Sequence, residues 1–383
     1  MKKKVFSIVL VLALALSFAV MYGCSSNNTK TPAATPGGAA PTEGPAETAK
    51  PAEPAEPEEP EDDTVYTLIV SSHAPAAGAV NKDLKEILDY LTEESNGRLQ
   101  FDLYTDATLV SPAGIADAIT SGVCDMGVVN GGRLEGRLST SDVVALPAIF
   151  DDAYQALSAF DELYKTNATV KKQFDDLGIK PFGYFLSTQF TIVSDKEIKS
   201  LADLKGKLVS IPNAIVGDIF TKLGINSMSI SNVDAYENLS KHTIDAVASN
   251  SLSGNIDFGV NEIAKYCYNM QMGSGMLMFV IGIDAYNNLP ADLQQLIDSV
   301  TPQAIELVYR NEILNDKSSE TYVAGGGTII EPTAEDVSAF DAYAEEGWNT
   351  WAEGLNGTGI DGTGVLKDYQ ALLAKYKGKA PTA

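Results

Sequence analysis

Between Thr64 and Ala248 the chain twice carries the same pattern: an apolar, β-branched run, an amphipathic stretch at helical spacing, then another apolar run. Few architectures accept that alternation. A strand that leaves through a helix and returns as a strand builds a parallel sheet with helices on its faces. In the first half, residues 64–71 read as a buried strand, and Leu84, Ile87, Leu88 and Leu91 recur at helical spacing. Ser95-Asn96-Gly97 closes that helix, and residues 99–104 alternate as a second strand. Ser111 caps a helix entered at Pro112, and residues 124–129 form a third strand. The second half repeats the plan with strands over 181–188, 190–194, 207–212, 228–231 and 244–248, and helices around 215–223 and 233–241. Two such α/β units imply two lobes facing a cleft. An apolar strand over 276–283 follows. A helical pattern then starts at Asp292, keeps Leu293, Leu296, Ile297 and Val300 in phase, and runs toward Tyr322 before Gly325-Gly326-Gly327. A helix that long would brace both lobes. Further helices hold Trp348 and Trp351, then residues 366–376.

The N-terminus is an address rather than part of the fold. Lys2, Lys3 and Lys4 precede an apolar run over 5–20, and Gly23 precedes Cys24. This pattern predicts a secretion signal over 1–24 ending in a lipobox, with Cys24 acylated as the membrane anchor. Plain cleavage and an uncleaved anchor are the alternatives. Residues 25–63 collapse into Pro, Ala, Thr, Gly and Glu, a composition that cannot bury enough apolar surface to order itself. Extended at about 3.1 Å per residue, such a tether spans up to about 120 Å and holds a folded module off a membrane. No later run is long and apolar enough to span a bilayer. The expected location is extracytoplasmic, in the periplasm or on the outer face of the cytoplasmic membrane.

The net charge is −24, and the tether's nine acidic and two basic residues account for only a small part of it. An acidic module repels nucleic acid and anionic membranes. Two histidines, His73 and His242, lie far apart, and no zinc-protease, nucleophile-elbow or phosphate-binding signature is present. No catalytic residue, metal or cofactor is expected. Asp151-Asp152 abuts a helix start and reads as N-terminal capping. With Cys24 lipidated, Cys124 and Cys267 read as buried free thiols rather than a bridge.

Several segments in order resemble the solute-binding proteins of TRAP (tripartite ATP-independent periplasmic) transporters, of the dicarboxylate-binding type. They are SNGRLQFDLYTDATL, IADAITSGVCDMGVVN, LPAIFDDAYQA, SLADLKGKLVSIPNA, LGINSMSISNVDAYENLSKHTIDAVASN and LPADLQQLID, which lie between residues 95 and 298, within a match that runs in order from about residue 65 to about residue 344. The resemblance implies a two-lobed, periplasmic-binding-protein-like (Venus flytrap) α/β fold with a long bridging helix. Lobe I would take residues 64–187 plus about 275–316, and lobe II residues 188–274 plus about 317–383 with the C-terminal helices. It further implies a hinge, closure on one solute, and handover to membrane permease subunits driven by an ion gradient.

In most of that family an arginine stands where this chain has Ser210, gripping a ligand carboxylate through paired charge-assisted hydrogen bonds. A second arginine often lies near the position of Gln189, where GYFLSTQFTIVSD has no basic residue before Lys196. A carboxylate sealed in a closed cleft without a partner costs several kcal/mol. The expected ligand is therefore a small polar solute, neutral or cationic. Candidate contacts are Ser72, His73, Val129, Asn130, Phe150, Gln189, Phe190, Ser210, Asn213 and Asn250, with Asn213 and Asn250 foremost at strand ends of the second lobe. An organic acid held by Arg133 or Arg137 remains open, as does service to a sensor kinase or an ATP-driven importer. A surface hydrolase or adhesin is the alternative from another class.

Overall fold

The computed structural model describes residues 63–230 and 232–382. The signal, Cys24 and the tether as far as residue 62 lie outside the described residues. The strands in chain order are β1 (Tyr66–Ser71), β2 (Leu99–Tyr104), β3 (Met126–Val129), β4 (Ile179–Leu186), β5 (Ile192–Ser194), β6 (Leu208–Ser210), β7 (Asn226–Met228), β8 (Ala246–Val247), β9 (Tyr266–Tyr268), β10 (Met276–Gly282) and β11 (Thr328–Ile330).

They form two sheets, one per lobe. The first has the order β2-β1-β3-β10-β4 and the second β11-β9-β5-β8-β6-β7. In the first, β1 runs parallel to β2 and β3, while β10 returns from the other lobe and inserts antiparallel between β3 and β4. In the second, β6 runs parallel to β7 and β8, and β5 is antiparallel to β8 and β9. The helix Ala79–Glu94 buries Leu84, Ile87, Leu88 and Leu91, the four positions that share a face at helical spacing. Asp152 caps the helix Ala153–Thr166, its carboxylate accepting from the Gln155 amide at 2.8 Å.

Strand alternation splits the second lobe's core. Ile192, Ala246 and Tyr268 point to one face of the sheet, Val193, Val247 and Cys267 to the other, and each set nucleates its own apolar cluster. Cys124 lies in the first lobe's core, so the two buried thiols belong to different lobes and both are free.

Among the described residues, four segments cross between the lobes: residues 187–191, residues 269–275, residues 310–317 and the helix Ala334–Gly357. The continuous helix expected from Asp292 toward Tyr322 is instead a series. Helices Ala291–Ser299 and Thr301–Tyr309 pack on the first lobe, a π-helical turn covers Arg310–Leu314, and the helix Ser318–Ala324 belongs to the second. Apolar phase carries on through these helices, but Pro302 restarts the helix and the π turn breaks the register. The long bridging helix is Ala334–Gly357. It buries Phe340 and Ala344 in the second lobe's core and Ala352 in the first lobe's core, with Trp348 and Trp351 packed against the latter. The helix Gly362–Tyr376 also differs from its expected grouping with lobe II: Val365, Leu366, Tyr369 and Leu373 bury in the first core.

Candidate functional site

The hinge is a crossing of two extended segments. The Ser187 amide donates to the Gly275 carbonyl at 3.1 Å, Phe190 to Gly273 at 2.8 Å, and Met272 to Phe190 at 3.2 Å. Two side chains reinforce it: Gln189 Oε1 accepts from the Gly273 amide at 2.8 Å, and Ser187 Oγ from the Gly275 amide at 3.1 Å. Gln189 is thus committed to the hinge through its acceptor oxygen. Phe190 is half-buried against the second core beside it. Gly273 has φ +106°, and a Cβ there would stand 3.3 Å from the Ala145 carbonyl oxygen, so the hinge backbone lies directly against the first lobe.

The first lobe's wall is built at the C-terminal ends of β1 and β3, which pair side by side through Ser71 and Gly127. Such ends are where open α/β sheets place ligands. Ser72 is fully buried, and its Oγ accepts from the Ala74 amide at 3.2 Å. His73 is half-buried, and its Nδ1 has no hydrogen-bond partner among the described residues. Burial, then the nearby Arg133 guanidinium, hold its imidazole below the usual histidine range, against the opposing hydrogen bond with the Val128 backbone. Val129 is fully buried, whereas Asn130 is half-exposed at the strand's end. A tight turn, Gly131–Arg133, follows; a Cβ on Gly131 would fall 2.0 Å from Ser141 Oγ, so only glycine lets the next segment pack here. Arg133 is exposed and makes no ion pair among the described residues. Arg137 pairs with Asp117 at 2.5 Å on the surface, which spends its charge away from the cleft.

That next segment is the 3₁₀ helix Ser139–Ala145. It carries Asp142, mostly buried and without a hydrogen bond or ion pair among the described residues. Its Oδ1 lies 3.8 Å from a Cβ placed on Gly132, and Asn130 Oδ1 lies 3.3 Å from that same point. Burial pushes the Asp142 carboxyl up to about 6.

The second lobe contributes the turn after β6. Asn213 caps the helix Ala214–Lys222, its Oδ1 accepting from the Val216 amide at 3.0 Å. Its Nδ2 reaches across the cleft and donates to the Ala145 carbonyl at 3.5 Å. Ser210, which the sequence offered as a ligand contact, already has protein partners for its hydroxyl. It is fully buried; its Oγ shares a 3.1 Å hydrogen bond with Ser249 Oγ and accepts from the Ala248 amide at 3.2 Å, stitching β6 to β8. Asn250 is likewise internal: its Nδ2 donates to Asn255 Oδ1 at 3.4 Å and its carbonyl accepts from the Thr191 amide at 3.1 Å. Phe150 is half-buried against the first core.

Of the ten expected contacts, then, His73, Asn130, Phe150, Gln189, Phe190 and Asn213 keep exposed surface, while Ser72, Val129, Ser210 and Asn250 are buried within the lobes. Asp142 and the Ala145 carbonyl are the groups the sequence reading missed. The available signal was a single acid opening the otherwise apolar run Val143-Val144-Ala145-Leu146. A separate cavity of about 480 Å³ on the first lobe is lined by Tyr164, Lys180 and Asp298. Its charges are satisfied internally, Lys180 pairing with Asp298 at 2.5 Å with its amine 3.9 Å from the Tyr286 ring centroid. Among the described residues no group of acids, histidines or cysteines is arranged to hold a metal ion.

Comparison with known proteins agrees with this two-lobed arrangement. The model of the family described as bacterial extracellular solute-binding protein, family 7, matches residues 70–354. The chain is similar to a monocarboxylate 2-oxoacid-binding periplasmic protein of Nostoc sp., at 24% identity over 67% of this chain and 72% of that protein. Among solved structures it is similar to a TRAP solute-binding protein from Rhodoferax ferrireducens in complex with copurified benzoate. That match has 25% identity and a TM-score of 0.75, covering 83% of this chain and 100% of the other. A TRAP periplasmic solute-binding protein from Desulfovibrio salexigens, in an open complex, matches at 22% identity with a TM-score of 0.71, covering 84% and 99%.

Proposed function

The chain belongs to the family 7 extracellular solute-binding proteins, the solute-binding subunits of TRAP transporters; from that premise we propose that it captures one small polar solute between its lobes, beside the hinge, and delivers it to ion-gradient-driven permease subunits. The family is one of transport, not catalysis. The observation that carries the location is the Asn213–Ala145 contact at 3.5 Å, where a side chain at a strand end of one lobe meets the wall of the other. A solute seated there touches both lobes only when they are closed, so it biases an open–closed equilibrium. His73, Asn130, Phe190 and Asn213 supply neutral polar and aromatic contacts. No guanidinium projects from the second lobe's β6 end, since Ser210 occupies that position and is itself internal.

A second reading has one specific observation in its favour. Arg133 is exposed and unpaired among the described residues on the cleft wall, next to a histidine whose pKa burial and that same guanidinium lower. It would receive the carboxylate of an organic acid, the class carried by the benzoate-bound and 2-oxoacid-binding relatives.

Delivery is proposed from a lipid anchor at Cys24. A thermal-shift screen of the mature chain against amines, polyols, amino acids and organic acids identifies the solute class. Small-angle scattering with the best hit is expected to show a smaller radius of gyration. A saturating ligand that leaves the radius unchanged contradicts closure.

A further inference from the structure

Asp142 is a charge the fold itself does not use. It sits in the 3₁₀ helix Ser139–Ala145, one turn before Ala145, and residues three apart eclipse in such a helix. The Ala145 carbonyl is the group that Asn213 reaches from the other lobe. Asp142 Oδ1 lies 3.8 Å, and Asn130 Oδ1 3.3 Å, from the point where a Cβ on Gly132 would stand, so both acceptors gather at the turn that follows the C-terminal end of β3. No lysine, arginine or histidine pairs with it among the described residues. Arg133 immediately follows Gly132, yet the two opposite charges do not pair with each other.

A mostly buried carboxylate with no partner becomes costlier as the lobes shut and the remaining water leaves. A carboxylic acid ligand placed beside it would add like-charge repulsion. A protonated amine offsets both, because it donates charge-assisted hydrogen bonds to the carboxylate in a water-poor site. Asn130 Oδ1 offers the same amine a second acceptor.

We propose that the captured solute carries a protonated amine and that Asp142 receives it, making Asp142 a specificity-determining residue of the cleft. The inference rests on the solute-binding reading above. An amino-acid-like zwitterion would place its ammonium on Asp142 and its carboxylate toward Arg133, whereas a plain cation would use Asp142 and leave Arg133 idle.

The test is calorimetric titration of the mature chain at pH 7.5 with three probe sets: glycine, proline, glutamate and lysine; choline and putrescine; pyruvate and benzoate. Each is run on the native protein, Asp142→Asn, Asp142→Glu and Arg133→Gln. The expected result is binding of at least one amine probe, weakened tenfold or more by Asp142→Asn and partly restored by Asp142→Glu. Weakening by Arg133→Gln as well identifies the zwitterion, and no effect of Arg133→Gln identifies the plain cation. Binding of acids alone, an amine bound equally well by Asp142→Asn, or no binding by any amine overturns the inference. An acid that binds and compacts the protein in scattering leaves the solute-binding function standing; an amine that binds without compaction removes the closure mechanism but not the role of Asp142. Thermal melts of each variant confirm that it is folded.

Discussion

At the scale of single residues, polar groups near the lobe junction divide by whether the fold has already used them. Ser210 has spent its hydroxyl on Ser249 and the Ala248 amide. Ser210→Ala should therefore cost about 1–2 kcal/mol of stability, the usual range for losing a buried hydrogen bond and stranding its partner. It should leave solute affinity unchanged; paired urea melts and calorimetry check both, and a large loss of affinity at unchanged stability would return Ser210 to the site. The sequence placed Ser210 correctly at a strand end but could not say which way it faces. A three-residue strand in a sheet covered on both sides buries both faces, so alternation carries no signal there. Asn213 was legible as a strand-end residue, since the apolar strand stops just before it; its capping of the helix Ala214–Lys222 is seen only in the structure. Asp142 was not, because its position depends on how the glycine turn at 131–133 docks against the 3₁₀ helix, a contact between segments rather than a local pattern.

At the scale of elements, the crossings decide how the lobes move. Gly273 holds φ +106° at the hinge, with the Ala145 carbonyl oxygen 3.3 Å and the Pro147 Cα 3.4 Å from where a Cβ would stand. Gly273→Ala should destabilise by about 1–3 kcal/mol from backbone conformation alone, read by chemical denaturation; an unchanged midpoint would show that the hinge relaxes freely. The third crossing carries a group of acids. Glu312 lies in the π-helical turn, where burial first, and then the carboxylates of Asp83, Asp316 and Asp257, push its carboxyl up to about 8, with Lys82 opposing. Asp83, on the helix Ala79–Glu94, is pushed up to about 6 mainly by burial, although Asn311 Nδ2 donates to it at 2.8 Å. A carboxyl whose pKa is raised from 4.5 takes up a proton on folding. Stability is then highest below that value and declines as pH rises through about 8. Glu312→Gln should raise the melting temperature by several degrees at pH 8 and barely change it at pH 4.5. An equal shift at both pH values would mean the effect is not protonation. The helix series around this turn also shows the limit of periodicity: Leu293, Ile297 and Val300 read the phase correctly, yet phase says nothing of whether the hydrogen-bond ladder continues.

At the scale of the whole molecule, the two strand–helix repeats made the two sheets legible, because each repeat can bury its apolar faces only as a separate layered unit. What local patterns did not carry is the exchange between them: β10 inserting between β3 and β4, the bridging role of Ala334–Gly357, and the return of Gly362–Tyr376 to the first core. Those follow from long-range packing of helices that look alike in sequence. Together they give a pair of lobes joined at a hydrogen-bonded hinge, which suits closure about a bound solute. The central claim is that the solute lies between the wall of His73, Asn130 and Asp142 and the Asn213 turn. A crystal structure of the protein with its copurified solute tests that most directly. The account predicts density in contact with both lobes there, with Ser210 out of reach; density confined to the cavity beside Lys180, or a solute touching one lobe alone, would contradict it.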